Sequence, residues 1–408
     1  MKKFILPLFL MLLSLQSIAQ LTIKGRVVNK TDNKPVPNAV VFINNSSIAS
    51  TTDSSGRFKL IAPIGQYRLL VNIIGYENYS TPLILKGNTV LNDIQLIPKV
   101  EAIKEVTVKA KVSLSPCYPI FVQEFFGNTV FARGCKILNP LVLQFYDITP
   151  TGGFSARSSD FIQIENNALG YRVKFFLLYF VKDVNKQKCF FNGESFFEEM
   201  HGTPEQEKTW RKNRMECYQG SPMQLLRAIM TDSLAENGFR IKRASRKLNL
   251  YFNKNGFVAN AYDVDSGNIN IDLSSDPASN FDLDFTDNTV YNDKMKGDFL
   301  TGKALLLGTN QKGLYAISGI SAQDTTLNSL YIEHTKDALP GANGASTYVP
   351  WIWGGKVSFF TFNKPTKPYL VFNTDGKMLN SGVMDIDGFM LSQSRVATFL
   401  PFDYRPNL

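Results

Sequence analysis

The chain has 408 residues, 44% hydrophobic and 19% charged, a globular balance that excludes a disordered or fibrous protein and leaves length for two or three cores. Two histidines leave little room for a His-rich catalytic metal centre. The formal charge of +9 is a mild surplus for this length and does not by itself point to a polyanionic partner.

The first element is a targeting segment. Lys2 and Lys3 make a positive n-region, Phe4 to Leu15 an apolar run, and Ser17-Ile18-Ala19 a small-x-small cleavage site, the pattern of a secretory signal peptide over residues 1–19. The run is too short to span a bilayer and no later segment reaches the length of a membrane helix. Cleavage after Ala19 would remove Lys2 and Lys3 and lower the charge to +7. The expected product is exported to the periplasm or the outer-membrane surface and is peripheral rather than transmembrane. Export permits disulfides, and Cys117, Cys135, Cys189 and Cys217 are even in number with three possible pairings. None lies in a C-x-x-C. One or two structural disulfides and buried free thiols are the two readings.

Residues 20–98 have a period of two. Ile23, Gly25 and Val27 alternate with Thr22, Lys24 and Arg26, and Tyr67, Leu69, Val71 and Ile73 alternate with Arg68, Leu70 and Asn72. Breakers at Asn33-Lys34-Pro35, Asn44-Asn45-Ser46, Asp53-Ser54-Ser55-Gly56 and Pro63-Ile64-Gly65 separate about seven short strands, which implies a small all-β sandwich. Asp53 suits a tight turn, Gly56 a positive φ, and Phe58 the return to the core. The order Gly25-Arg26-Val27-Val28, Pro35-Val36-Pro37-Asn38-Ala39-Val40-Val41, Thr52 to Phe58, Gly65-Gln66-Tyr67 and Gly75-Tyr76 resembles the carboxypeptidase regulatory-like domain. The resemblance implies a transthyretin-like sandwich, common in Gram-negative envelope proteins as a structural or interaction module. It implies no peptidase activity.

A linker is expected over residues 99–115. Its alternating Glu105-Val106-Thr107-Val108-Lys109-Ala110 resembles the segment that TonB-dependent receptors offer to a periplasmic partner, and equally a last sandwich strand or spacer. The rest of the chain is too short for the barrel of such receptors, about 22 strands of about ten residues plus loops.

Residues 116–245 read as an α+β domain. Phe121, Val122, Phe125, Phe126 and Val130 recur at helical spacing, predicting a helix over 118–132. Apolar runs at 141–146, 161–165 and 171–181 predict strands of an antiparallel sheet. Thr203-Pro204-Glu205-Gln206 is a capping box leading into Trp210, Arg211, Arg214 and Cys217, and Ser221-Pro222 repeats the start signal ahead of Leu225, Leu226 and Ile229, with Asn237-Gly238 as the stop. The densest basic run, Arg240, Lys242, Arg243, Arg246 and Lys247, reads as a solvated stretch or as a patch for phosphates, acidic glycans or lipid headgroups. No zinc-finger or RNA-recognition motif surrounds it, so no nucleic-acid partner is expected. Residues 246–408 read as a β-rich C-terminal domain, or as a continuation of the preceding one, with a short helix near 390–399. Gly134 to Pro140, Ile164 to Tyr171, Tyr218 to Ser221 and Leu400 to Tyr404 together resemble an uncharacterised family of exported proteins that carry the same N-terminal sandwich. That resemblance implies architecture only.

Catalytic signatures are lacking. Neither His201 nor His334 stands in a His-x-x-Glu or His-Glu-x-x-His pattern, so a zinc carboxypeptidase is not expected. No Gly-x-Ser-x-Gly elbow is present. Asp265-Ser266-Gly267 lacks the apolar lead and the second copy of an aspartic peptidase, and Asp263, Asp265, Asn268, Asn270 and Asp272 lack EF-hand spacing for calcium. Glu165, Glu194, Glu198 and Glu199 supply acids without a distinguishing pattern. Tyr348, Trp351 and Trp353 around Pro350 suit either hairpin packing or an aromatic platform for a sugar ring. The expected protein is therefore a non-enzymatic binding or structural protein of the cell envelope, without a cofactor, whose partner is an envelope protein or glycan. A hydrolase with an unrecognised carboxylate site and a TonB-linked transport accessory are the alternatives.

Overall fold

The computed structural model describes residues 20–99, 115–148, 153–183, 188–244, 249–253, 256–260, 300–309, 313–318, 329–334, 356–362, 369–379, 384–392 and 394–406. The expected signal peptide, the alternating segment at 105–110, the Asp263–Asp272 group and Tyr348, Trp351 and Trp353 lie outside them. The chain divides into two units, residues 1–44 with 48–108, and residues 45–47 with 109–408.

The first unit holds strands β1 (Leu21–Asn29), β2 (Val40–Ile43), β3 (Ala49–Thr51), β4 (Arg57–Ala62), β5 (Gly65–Asn72), β6 (Tyr79–Leu85), β7 (Thr89–Val90) and β8 (Ile94–Leu96). One sheet runs β4-β1-β7 with β8 also on β1, and the other runs β3-β2-β5-β6. Alternation places the core as the sequence implies: Phe58, Leu60 and Ala62 are buried along β4 between exposed neighbours. Leu70 departs from the expected pattern. It is as buried as Leu69 and stands opposite the fully buried Phe42 in the β2–β5 ladder.

The familiar motifs of this unit form one polar clasp. Thr52, itself buried, donates its hydroxyl to the Val36 carbonyl at 2.7 Å and accepts the Ala39 amide at 2.8 Å, so the Pro35–Val41 and Thr52–Phe58 segments are tied through one side chain. The Asp53 carboxylate accepts the Ser55 hydroxyl and the Ser55 and Arg57 amides at 2.7–2.9 Å. Gly56 has φ +74°, and a Cβ there would stand 2.4 Å from the Val27 carbonyl oxygen; only glycine fits.

The second unit opens with helix α1 (Tyr118–Phe126) and strands β9 (Cys135–Ile137), β10 (Leu143–Ile148), β11 (Gly153–Ser158), β12 (Ile162–Asn166), β13 (Tyr171–Asp183) and β14 (Lys188–Glu199). The sheet is antiparallel in order β10-β11-β13-β12-β9, with β14 on the long β13. Helix α1 is shorter than the apolar spacing predicts. Gly127 takes φ +79° and its amide bonds the Gln123 carbonyl, ending the helix, so Val130 falls in a 3₁₀ turn and is exposed. Phe121 and Phe125 are fully buried and meet Phe180 and Phe175 at ring separations of 4.8 and 5.2 Å. Much of the phenylalanine excess is thus core packing.

Helices α2 (Pro204–Tyr218) and α3 (Pro222–Met230) follow. Thr203 and Gln206 make the reciprocal capping box, and Ser221 accepts the Gln224 amide. Helix α3 ends at Met230 rather than at Asn237-Gly238. The chain leaves through Asp232 at φ +53°, and Gly238 at φ +79° precedes the next strand. Strands β15 (Phe239–Ala244), β16 (Asn249–Asn253) and β17 (Gly256–Asn260), helix α4 (Gly302–Leu305), strands β18 (Leu306–Gly308), β19 (Leu314–Ser318), β20 (Ser329–His334), β21 (Lys356–Phe362), β22 (Tyr369–Asn373) and β23 (Met384–Gly388), and helix α5 (Phe389–Ser392) complete the order. The sheets are β15-β20-β21-β23, β18-β19-β22 and the hairpin β16-β17. Because β15 pairs with β20, and Leu225 and Ile229 of α3 share a core with Ile332, Phe360 and Phe372, the chain on the two sides of residue 245 builds one unit. The basic run begins inside β15. Among the described residues, no helix is long and apolar enough to cross a membrane.

Candidate functional site

The turn between β12 and β13, residues 166–171, organises the site of the second unit. Asn166 is buried; its amide donates to the Ala397 carbonyl and its oxygen accepts the Leu169 amide, both at 3.0 Å. The Asn167 amide bonds the Gly134 carbonyl at 2.9 Å, and a Cβ on Gly134 would meet the Ala168 backbone at 2.8 Å. Helix α2 then reads the turn carbonyl by carbonyl. Trp210 Nε1 donates to Asn167, Asn213 Nδ2 to Ala168, Arg214 Nε to Leu169 and Arg214 Nη2 to Gly170, at 2.7–3.0 Å. The spacing i, i+3, i+4 places these three side chains on one helical face. Gly170 has φ +68° and a Cβ there would lie 2.2 Å from the Trp210 ring.

The C-terminal segment is held beside this turn by Arg227, whose guanidinium donates to the carbonyls of Asp375, Tyr404 and Phe402 at 2.8–3.0 Å. Tyr404 packs edge-on against Tyr218, with ring centres 5.9 Å apart. Thus the four segments whose order resembles an uncharacterised exported family meet in one neighbourhood.

A cleft of about 640 Å³ opens there. Tyr171, Trp210 and Tyr404 supply aromatic wall; Glu199, Glu207 and Asp403 face Arg211, Arg214 and Arg405. The charges are already engaged. Arg214 Nη1 lies 3.3 Å from Glu199 and Arg211 lies 3.7 Å from Glu207. Asp403 accepts the backbone amide and hydroxyl of Ser47, which belongs to the same unit. Arg405 pairs with Asp375 and donates to the Phe402 and Tyr404 carbonyls.

Tyr171 is the exception. Its side chain is 1% exposed, its ring lies 3.9 Å below the Arg214 guanidinium, and its hydroxyl has no hydrogen-bond partner among the described residues. Burial raises its pKa above the usual phenol value against the opposing charge of Arg214, so the hydroxyl stays protonated and is a donor.

The acids named from sequence do not converge. Glu165 lies across from Arg172 and Lys136 in the sheet, Glu198 pairs with Lys174 at 3.2 Å, and Glu194 is buried on β14; of the four, Glu199 alone reaches the cleft. His201 borders it and is exposed, whereas His334 is buried at the end of β20. Among the described residues, no group of His, Cys, Asp and Glu is placed to hold a metal ion. Cys117, Cys135, Cys189 and Cys217 are free thiols in the structure. Burial pushes Cys135 up to about 12 and Cys189 up to about 11, and raises Cys217 as well.

The molecule is a mostly β protein with few helices, whose N-terminal unit is a small two-sheet sandwich. Residues 23–108 match the CarboxypepD_reg-like domain family, so the chain carries a CarboxypepD_reg-like domain at its N-terminus. No curated protein matches the chain. Among solved structures, a DUF3823 family protein from Bacteroides ovatus is 15% identical over 45% of this chain and 83% of its own, with a TM-score of 0.17. Another, from Parabacteroides merdae, is 16% identical over 47% and 85%, with a TM-score of 0.17. A chain of a type II cohesin-X-dockerin complex from Acetivibrio cellulolyticus is 17% identical over 19% of this chain, with a TM-score of 0.17, and the match spans 56% of that chain.

Proposed function

We propose that the protein is an exported, non-enzymatic binding protein of the cell envelope, holding its ligand in the cleft of the second unit while the CarboxypepD_reg-like domain serves as a structural or interaction module. The carrying observation is the state of the cleft's carboxylates. Hydrolysis of a glycosidic or peptide bond by acids needs one carboxyl kept protonated and another free to act as base or nucleophile. Here Glu199 and Glu207 are ion-paired with Arg214 and Arg211, and Asp403 accepts the Ser47 hydroxyl, while an aromatic wall remains for a ligand. Export is supported by the signal-like sequence of residues 1–19.

The test is to incubate the full chain with fluorescent envelope glycan fragments and peptides, reading retention and cleavage in the same samples. Retention of one class without turnover is expected. Turnover that persists in purified protein would overturn the binding-protein reading.

A further inference from the structure

The N-terminal unit holds most of the chain's positive surplus. Over residues 20–99, nine lysines and arginines stand against four aspartates and glutamates. Part of that surplus is gathered on the solvent face of the sheet β4-β1-β7. Buried Ile23, Val27, Phe58 and Leu60 turn their alternate neighbours outward, and the β1–β4 register sets Lys24 opposite Lys59 and Arg26 opposite Arg57. Like charges directly opposite one another in a ladder are destabilising, a local conflict of the kind that folded chains retain at functional surfaces. Protection of a sheet edge accounts for Arg57 and Lys59 on β4, the last strand of this sheet, but not for Lys24 and Arg26 on the central β1. Two acids border the face. Asp93 meets Arg26 at 3.4 Å, with both side chains 40–50% exposed, and the Asp53 carboxylate is bound within its own turn. Lys24 and Lys59 have no carboxylate partner among the described residues.

We infer that this face docks on a bilayer rich in anionic phospholipid, with Lys24, Arg26, Arg57 and Lys59 at the headgroups and Ile61 and Val90 in the interfacial layer. The surface lies wholly within the N-terminal unit, so the inference goes beyond the cleft and is independent of it. Two features select a membrane over a single phosphate or an acidic polymer. The four cations form a grid of about 5 by 7 Å across two strands rather than converging on one point, which suits many headgroups in a plane. Val90, paired with Lys24 on the other flank of β1, is 79% exposed, and Ile61, next after Lys59 on this face of β4, is 46% exposed. Aliphatic side chains interleaved with cations are stabilised where phosphate and acyl boundary meet, and gain nothing from a hydrated acidic polymer.

The experiment is co-sedimentation of the exported product, residues 20–408, with vesicles of phosphatidylcholine alone or mixed in equal parts with phosphatidylglycerol. Binding to the mixed vesicles only is expected, weakening as sodium chloride rises. The double variant Lys24→Gln, Lys59→Gln relieves the opposed pair and so keeps the fold; each lost charge should weaken partitioning about fivefold. Val90→Thr, at an exposed position, should weaken it a few-fold. The pair Lys208→Gln, Lys212→Gln removes the same charge from exposed positions of α2 and should leave binding nearly unchanged. Equal binding to both vesicles, no binding, no effect of Val90→Thr, or equal losses in the two lysine pairs would overturn the inference. So would release by inorganic phosphate at an ionic strength where sodium chloride has no effect, the mark of a single-phosphate site, or capture by polygalacturonate in place of vesicles, the mark of an acidic glycan. The cleft reading is decided separately, by the glycan and peptide retention assay.

Discussion

Replacing Arg214 by methionine removes the group that joins helix α2, the 166–171 turn and the cleft. The side chain is 9% exposed and donates to the Leu169 and Gly170 carbonyls at 2.7 and 3.0 Å. Its removal leaves the buried Leu169 carbonyl without a donor, at about 1–3 kcal/mol, whereas the Gly170 carbonyl keeps the Met200 amide at 2.9 Å. Loss of the guanidinium over the Tyr171 ring, 3.9 Å away, adds up to about 2 kcal/mol. The Glu199 contact contributes little, because that carboxylate is 61% exposed. Methionine keeps most of the apolar stem, so packing loss is small. The expected destabilisation is about 2–5 kcal/mol. Urea unfolding followed by tryptophan emission measures it in the full chain. All three tryptophans, Trp210, Trp351 and Trp353, lie outside the sandwich, so the signal reports the second unit. Arg214→Lys should recover only part of the loss, since an ammonium cannot reach both carbonyls with a planar fork. A change below about 0.5 kcal/mol in Arg214→Met would refute the role assigned to this side chain.

Gly170→Ala combines a left-handed backbone with a Cβ 2.2 Å from the Trp210 ring; a loss of about 2–5 kcal/mol is expected in the same assay, and a neutral effect would contradict the packing described. In the sandwich, hydrogen bonds from the Ser55 hydroxyl and from the Arg57 and Ser55 amides hold the Asp53 carboxyl below its ordinary 3.8. Its contribution is therefore complete above that value and is lost as pH falls through the lowered pKa. Asp53→Ala should remove part of the acid sensitivity of the Val27 and Val36 methyl NMR signals under mild urea; an unchanged acid limb would argue against it. Cys135, Cys189 and Cys217 have thiols raised by burial and should resist an aromatic disulfide reagent at neutral pH until the chain is denatured. Rapid labelling of the native protein, or missing thiols after denaturation without reductant, would contradict this.

Local signals were readable where local physics decides the structure. The capping box at Thr203 and Gln206, the cap at Ser221 and the Asp53–Gly56 turn all form as their residue types imply. Helix α1 shows the limit of periodicity: apolar spacing continues to Val130, but Gly127 ends the helix first. Leu70 shows another, since burial on both faces of β5 does not follow from strand alternation. The cleft was not legible as a site. Its walls come from residues 171, 199–215 and 401–405, and its organising bonds run from side chains to backbone carbonyls, which no residue pattern encodes. The one signal that pointed there was the family-like order of Ile164 to Tyr171, Tyr218 to Ser221 and Leu400 to Tyr404, which reads as architecture until the fold brings those segments together.

The central claim, that this cleft is the ligand site, is tested most directly by hydrogen-exchange mass spectrometry of the full chain with and without a saturating amount of the glycan fragment or peptide that the chain retains. Slowed exchange confined to peptides covering residues 167–171, 199–214 and 401–405 is the predicted result. Protection that falls in residues 20–99, or none at the 167–171 turn while the ligand is bound, would contradict the account.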